Sequence, residues 1–67
     1  MDISAKIYEL RKERNLTQAE LGKEIGVDGR SVSYWEKGIN EPKASYIYAM
    51  AKFFGVTADY LLGLEDL

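Results

Sequence analysis

Two short apolar patterns lie on either side of residues 26–28 (GVD), within the segment LTQAELGKEIGVDGRSVSYWEKG at residues 16–38. Gly26 can take the left-handed conformation that closes a helix, and Asp28 is a favoured N-cap for another helix. A helix that ends and a helix that begins within three residues must cross at a steep angle. The segment therefore predicts two short helices with a shared apolar core, made of Leu21, Ile25, Val32 and Trp35.

Similar signals predict helices along nearly the whole chain. Asp2 can cap a first helix, which has Ile3, Ile7 and Leu10 at spacings of four and three and ends at Asn15. The second helix begins with a capping-box pattern at residues 17–20 and extends to about residue 25. The other three are expected at about residues 29–37, 43–54 and 58–62. The predicted fold class is all-α, with five helices in one domain of residues 1–67.

Composition excludes several classes of function. The chain has no cysteine and no histidine, which removes disulfides, thiol nucleophiles, imidazole bases and the commonest zinc ligands. No apolar run approaches the length of about 20 residues that spans a bilayer. Nothing places a nucleophile beside a base or groups carboxylates for a metal, so we do not predict an enzyme. We expect a cytoplasmic protein with no cofactor, no small-molecule ligand and no membrane partner.

The charge is unevenly distributed along the chain. A formal net charge of −2 argues against a nucleic-acid partner at first sight. Residues 1–43, however, carry eight basic and eight acidic residues, whereas residues 44–67 carry one basic and three acidic residues. A local basic face on the first two thirds is therefore possible, and phosphate affinity depends on local charge as well as on the total.

The order and spacing of five short motifs resemble the Cro/Xre-like helix-turn-helix family of phage repressors and bacterial transcription regulators. The motifs are Thr-Gln at residue 17, Leu-Gly at 21, Gly-Val at 26, Trp-Glu-x-Gly at 35 and Gly-Val-Thr before Leu-Leu-Gly at 55–63. The resemblance covers nearly the whole chain. It implies a compact five-helix domain in which helices 2 and 3 form the helix-turn-helix. It further implies a repressor or switch protein that binds operator DNA as a two-fold dimer, with helix 3 in the major groove.

The outward face of helix 3 supplies the candidate base contacts. The guanidinium of Arg30 can take guanine O6 and N7 together, although a surface ion pair is the alternative. Ser33 and Tyr34 can also reach base edges, or can be ordinary surface residues. Gly29 has no side chain, so direct readout there is weaker and the backbone can approach the DNA more closely.

The candidate phosphate contacts flank this helix. Gln18 lies at the start of helix 2, where free N–H groups favour an anion, and the resemblance implies the same role for it. Further candidates follow helix 3, at Lys37, Asn40 and Lys43. The resemblance implies that Arg11 forms an ion pair with Glu36, with phosphate contact as a secondary role. We predict that Gly22 is small because the second helix approaches the third closely.

Helix 4 carries two apolar stripes. One is the expected core stripe, at Ala44, Ile47, Met50, Ala51 and Phe54. The second lies beside it, at Tyr46, Ala49 and Phe53. We predict that this second stripe contributes to a dimer interface, together with Tyr60, Leu61, Leu64 and Leu67. The alternative is that the chain's own C-terminal tail covers it.

Two classes of function remain. The first is a DNA-binding transcriptional regulator, a repressor that binds a palindromic operator of double-stranded DNA with half-sites about 34 Å apart. The second is an antitoxin-like or coactivator-like protein-interaction module on the same fold, which the net acidic charge and Gly29 favour. Arg30 and Gln18 in register favour the first.

Overall fold

Residues 3–65 are described by the structure, a computed structural model, and are arranged as five α-helices without a β-strand. The helices are α1 (Ile3–Glu13), α2 (Gln18–Ile25), α3 (Gly29–Lys37), α4 (Ala44–Phe54) and α5 (Ala58–Leu61). The predicted all-α fold is confirmed, and the bounds of α3 match the expectation. The predicted cap at Asp2 and the predicted role of Leu67 lie outside the described residues.

The turn between α2 and α3 is closed by local hydrogen bonds. Gly26 has a φ of 90°, and the N–H groups of Gly26 and Val27 both donate to the carbonyl of Gly22 at 2.8 Å. Asp28 then caps α3, because its Oδ1 accepts from the backbone N–H of Ser31 at 3.0 Å. At the other end of α2, Thr17 forms the predicted capping box. The chain is thus redirected within three residues, as the sequence indicates.

Gly22 is held against this turn. A Cβ at residue 22 would lie 2.5 Å from the carbonyl oxygen of Val27 and 3.0 Å from the carbonyl carbon of Asp28. No side chain fits there without moving backbone. The prediction that close packing requires glycine here is correct, but the predicted neighbour is wrong: Gly22 lies against the turn that leads into α3 and not against α3 itself.

Each helix contributes one fully buried side chain to the core. These five residues are Ile7, Leu21, Val32, Met50 and Leu61. Burial of each contributes about 1.5–3 kcal/mol relative to exposure. Trp35 is buried beside them, and Ile25 packs against the same cluster while partly exposed. The predicted shared core of α2 and α3 is therefore the centre of the whole domain.

The two ends of α4 are stabilised differently. Lys43 occupies the N-cap position and its side chain makes no capping hydrogen bond. At the C-terminal end, Arg14 Nη2 donates to the carbonyl of Phe54 at 2.9 Å, and Nη1 donates to that of Phe53 at 3.4 Å. A side chain from the turn that follows α1 thus satisfies carbonyls that α4 leaves open. In the described part of the chain, no helix is both long and apolar enough to cross a membrane.

Candidate nucleic-acid interface

Helix α3 is buried on one side and open on the other. Val32 and Trp35 face the core. On the opposite side, Arg30 is exposed, Tyr34 is 37% exposed and Ser33 is half-buried. One ion pair occurs within residues 3–65, and it does not involve Arg30. The guanidinium of Arg30 is therefore free to bind a ligand outside the chain.

An ion pair holds α3 against α1. Arg11 Nε donates to Glu36 Oε2 at 2.7 Å and Nη2 donates to Glu36 Oε1 at 3.0 Å, with side chains 9% and 6% exposed. Hydrogen bonding to Glu36 raises the pKa of Arg11. The predicted pair of Arg11 and Glu36 is confirmed. Since Nη1 also donates to the carbonyl of Leu16 at 2.7 Å, the guanidinium is already occupied, and its phosphate contact stays a prediction.

Gln18 joins the same network from α2. Its Nε2 donates to Glu36 Oε1 at 3.0 Å, so this carboxylate accepts from residues on two other helices. Gln18 is the first residue of α2, where backbone N–H groups lack helical acceptors. An anion at this position would meet the positive end of the helix dipole. The geometry thus fixes the start of α2 relative to the end of α3.

A cleft beside α3 brings three of the predicted contact residues together. It has a volume of about 310 Å³, and Tyr34, Asn40 and Lys43 are among its lining residues. Asn40 and Lys43 are exposed, as is Lys37 in the last turn of α3. Glu41 also lines the cleft and places a carboxylate among the predicted contacts. One candidate base contact, Tyr34, and two candidate phosphate contacts, Asn40 and Lys43, therefore border the same concave surface, whereas Arg30 and Lys37 lie outside it.

Gly29 has a packing role that sequence reasoning missed. A Cβ at residue 29 would lie 3.0 Å from both the backbone N and the Cα of Ala19. The absent side chain would point at α2, so its absence allows α2 and α3 to approach each other. The close approach of the helices explains the glycine, and a backbone contact of Gly29 with a base stays a prediction.

Asp28 adds a carboxylate to the start of α3. Its Oδ1 accepts from the backbone N–H of Ser31 and, at 3.1 Å, from the hydroxyl of Ser31. These bonds, with the nearby charge of Arg30, lower the pKa of Asp28. The side chain is exposed and ionised at neutral pH. Sequence reasoning treated Asp28 only as a helix cap.

The predicted dimer residues are mostly covered by their own chain, and the prediction is wrong for Leu61, which is fully buried in the core. Tyr46, Phe53 and Tyr60 are half-buried against the core. The ring of Tyr46 lies 5.6 Å from that of Trp35, measured between centroids. Leu64 differs, because it is 71% exposed. Their participation in a dimer stays a prediction, with Leu64 as the member that offers the most free surface.

The expected core stripe of α4 is correct in part. Met50 and Phe54 are buried, whereas Ile47 and Ala51 are half-buried and Ala44 is exposed. Ala44, Ile47 and Ala51 line a groove of about 400 Å³ between α4 and α5. Sequence periodicity assigned these residues to the core because it does not distinguish two neighbouring apolar stripes. The prediction that Ala44 belongs to the core is wrong.

Comparison with known proteins gives consistent matches. A helix-turn-helix family model matches residues 7–61. The HTH-type transcriptional activator BcrR of Enterococcus faecalis is 37% identical over 67 residues, which are 100% of this chain and 33% of BcrR. The cryptic phage CTXphi transcriptional repressor RstR of Vibrio cholerae is 43% identical over 53 residues, which are 79% of this chain and 48% of RstR. The chain thus spans less than half the length of either relative.

One solved structure matches this chain over nearly the full length of both proteins. The P22 c2 repressor protein, crystallised in complex with synthetic operator 9T, superposes with a TM-score of 0.89 at 32% sequence identity. The match covers 97% of this chain and 98% of that one. The arrangement of all five helices is therefore shared with a protein whose structure includes operator DNA.

Proposed function

The chain belongs to the helix-turn-helix family, and on that premise we propose that it is a DNA-binding transcriptional regulator that reads its operator with α3. The observation that carries the proposal is the one-sided burial of α3. Val32 and Trp35 anchor the helix, and the unpaired guanidinium of Arg30 faces outward. A helix exposed in this way fits the major groove, where an arginine fork bonds to guanine O6 and N7.

Phosphate contacts complete the proposed interface. Gln18 at the start of α2 binds one backbone phosphate, and Lys37, Asn40 and Lys43 bind phosphates further along the groove. Such contacts fix the register of the protein on DNA without specifying sequence. The Glu36 carboxylate supports this role, because its bond to Gln18 Nε2 orients the amide while the second N–H of that group remains available.

A homodimer is part of the same proposal. Two copies related by a two-fold axis would place their α3 helices in major grooves about 34 Å apart, so the operator would be palindromic. The exposed Leu64 supports a contact between copies at the C-terminal end of the domain. Sedimentation velocity at micromolar concentrations, with and without operator DNA, tests this. A single chain at every concentration and on DNA would remove the dimer.

The test of DNA reading is selection from a random duplex library at moderate salt. We expect the native protein to enrich a palindrome with a guanine in each half-site. Arg30→Ala should lose preference at that guanine. Arg30→Lys is the matched control, because it keeps the charge but not the two-pronged fork. It should retain most non-specific affinity and part of the guanine preference, because a lysine ammonium can also donate to O6 and N7, whereas Arg30→Ala should lose the full discrimination of about 1–3 kcal/mol.

Failure of enrichment would favour the other class of function. If no sequence is enriched above competitor DNA even at low salt, the chain is a protein-interaction module on this fold. We propose repression as the outcome of operator binding, as the names of RstR and the P22 c2 protein suggest. A reporter with the enriched site placed over a promoter, and then upstream of it, tests the direction, since BcrR is named an activator.

A further inference from the structure

Asp28 is the N-cap of α3, and only one of its carboxylate oxygens is used for capping. Oδ1 accepts both hydrogen bonds from Ser31, at 3.0 Å and 3.1 Å. Oδ2 accepts none from the described residues. The side chain is exposed immediately before the first turn of α3, two residues before Arg30. The N-terminal turn of a recognition helix is the part that contacts base edges, so Oδ2 is available where such contacts are made.

A carboxylate cap at a DNA interface has an electrostatic cost that an uncharged cap does not have. Serine and asparagine cap a helix about as well as aspartate. Neither carries a negative charge that repels phosphates, and this chain already has a net charge of −2. The positive end of the helix dipole also favours a carboxylate here, so capping explains the residue in part, and Oδ2 is the oxygen that the cap leaves unused.

The chemistry of Oδ2 selects one base. Among the major-groove edges, cytosine presents only the N4 donor, and adenine presents the N6 donor beside the N7 acceptor. Guanine and thymine present acceptors at these positions, which repel a carboxylate. Hydrogen bonds from Ser31, with the charge of Arg30, keep the pKa of Asp28 low, so the group is an acceptor only.

We propose that Asp28 determines specificity in this interface, with Oδ2 accepting a hydrogen bond from cytosine N4 close to the guanine read by Arg30. The inference rests on the proposed DNA binding by α3. A single carboxylate then has two functions: Oδ1 starts the helix and Oδ2 reads a base. The geometry of the cap would orient the reading oxygen, because both bonds to Ser31 fix the plane of the carboxylate.

The experiment is library selection with three variants. Asp28→Asn keeps the cap and removes the negative charge. Asp28→Ser keeps the cap, but its side chain is too short to contact a base. Glu41→Gln is the matched control, because it removes another exposed negative charge, that of a residue lining the cleft. The native protein should prefer cytosine at one position of each half-site. We expect Asp28→Asn to lose about five- to tenfold of that preference and to gain adenine, since an amide pairs with adenine N6 and N7. Asp28→Ser should show no preference among the four bases at this position of the half-site.

The control distinguishes recognition of a base by Asp28 from general repulsion between a carboxylate and the DNA phosphates. Glu41→Gln should raise the affinity for all sequences and leave the cytosine preference unchanged. If Asp28→Asn gives the same uniform rise, with an unchanged sequence preference, Asp28 is only a cap and the inference is wrong. If the native protein enriches no sequence at all, the proposed DNA binding has failed first. Thermal melting of each variant verifies that the cap, and hence α3, is intact.

Discussion

Glu36→Gln should destabilise the domain severely, although it changes one atom. The carboxylate accepts two hydrogen bonds from Arg11 and one from Gln18, in a site where the side chains of the ion pair are 9% and 6% exposed. Glutamine retains one acceptor and turns the other oxygen into an N–H group that faces a guanidinium. A buried charge then has no counter-ion, which costs about 3–5 kcal/mol when one partner is removed.

The magnitude is decisive for a chain of this size. A domain of fewer than about 70–80 residues rarely has more than about 3–5 kcal/mol of stability from its core. We take the lower end of the penalty, about 3 kcal/mol, because the pair retains some solvent contact. The variant should therefore be substantially unfolded in buffer. The urea midpoint should fall by about 3 M if the m-value is about 1 kcal/mol per M.

Trp35 provides the assay. It is the only tryptophan and is 5% exposed, so its fluorescence reports on unfolding in urea. Glu24→Gln, an exposed carboxylate on α2, is the matched control and should leave the midpoint unchanged. Arg11→Met combined with Glu36→Gln should recover part of the loss, because the unpaired charge is gone. A loss below about 1 kcal/mol for Glu36→Gln would mean that the pair behaves like a surface salt bridge, and our reasoning would be refuted.

Three further predictions concern Gly22, Lys43 and Asp28. Gly22→Ala should lower stability by about 1–3 kcal/mol in urea unfolding, because its Cβ meets the Val27 carbonyl, and a net gain would contradict the contact. Lys43→Ser should supply the missing cap of α4 and raise stability by about 1 kcal/mol, while the salt dependence of DNA binding weakens by about one phosphate contact. The low folded pKa of Asp28 means that its stabilisation is present above the unfolded value of 3.8 and is lost as the pH falls through the folded pKa. Melting temperatures of the native protein and Asp28→Asn should therefore differ in their pH dependence only below about pH 4, and a difference that changes between pH 5 and 8 would exclude this cause.

Local signals made the helix-turn-helix predictable from sequence. The capping box at Thr17, the left-handed Gly26 and the cap at Asp28 each depend on residues within four positions of one another. Each of these interactions joins residues that are close in sequence, so it can be predicted without knowledge of the tertiary packing. The ion pair of Arg11 and Glu36 was predicted in a different way. Only the family resemblance implied a contact between these residues, which are 25 positions apart in the sequence.

Contacts between distant segments were not predictable. Arg14 reaches the carbonyls of Phe53 and Phe54 across about 40 residues, and nothing in the local sequence marks that destination. Gly29 was assigned to the DNA face because the sequence does not reveal that Ala19 lies 3.0 Å from the position of its missing Cβ. Ala44 was assigned to the core because helical spacing alone does not tell which apolar stripe faces inward.

The one-sided anchoring of α3 separates stability from recognition. Val32, Trp35 and Glu36 hold the helix from one direction, and Arg30 contributes to none of those contacts. If α3 reads DNA as proposed, a substitution at Arg30 changes the recognition surface and leaves these anchoring contacts in place. On the same proposal, single replacements at this position would change the preferred operator in a protein that still folds. The same property makes this small scaffold suitable for engineering, since exposed positions such as Arg30 and Tyr34 can be randomised while Gly29, which packs against Ala19, is kept.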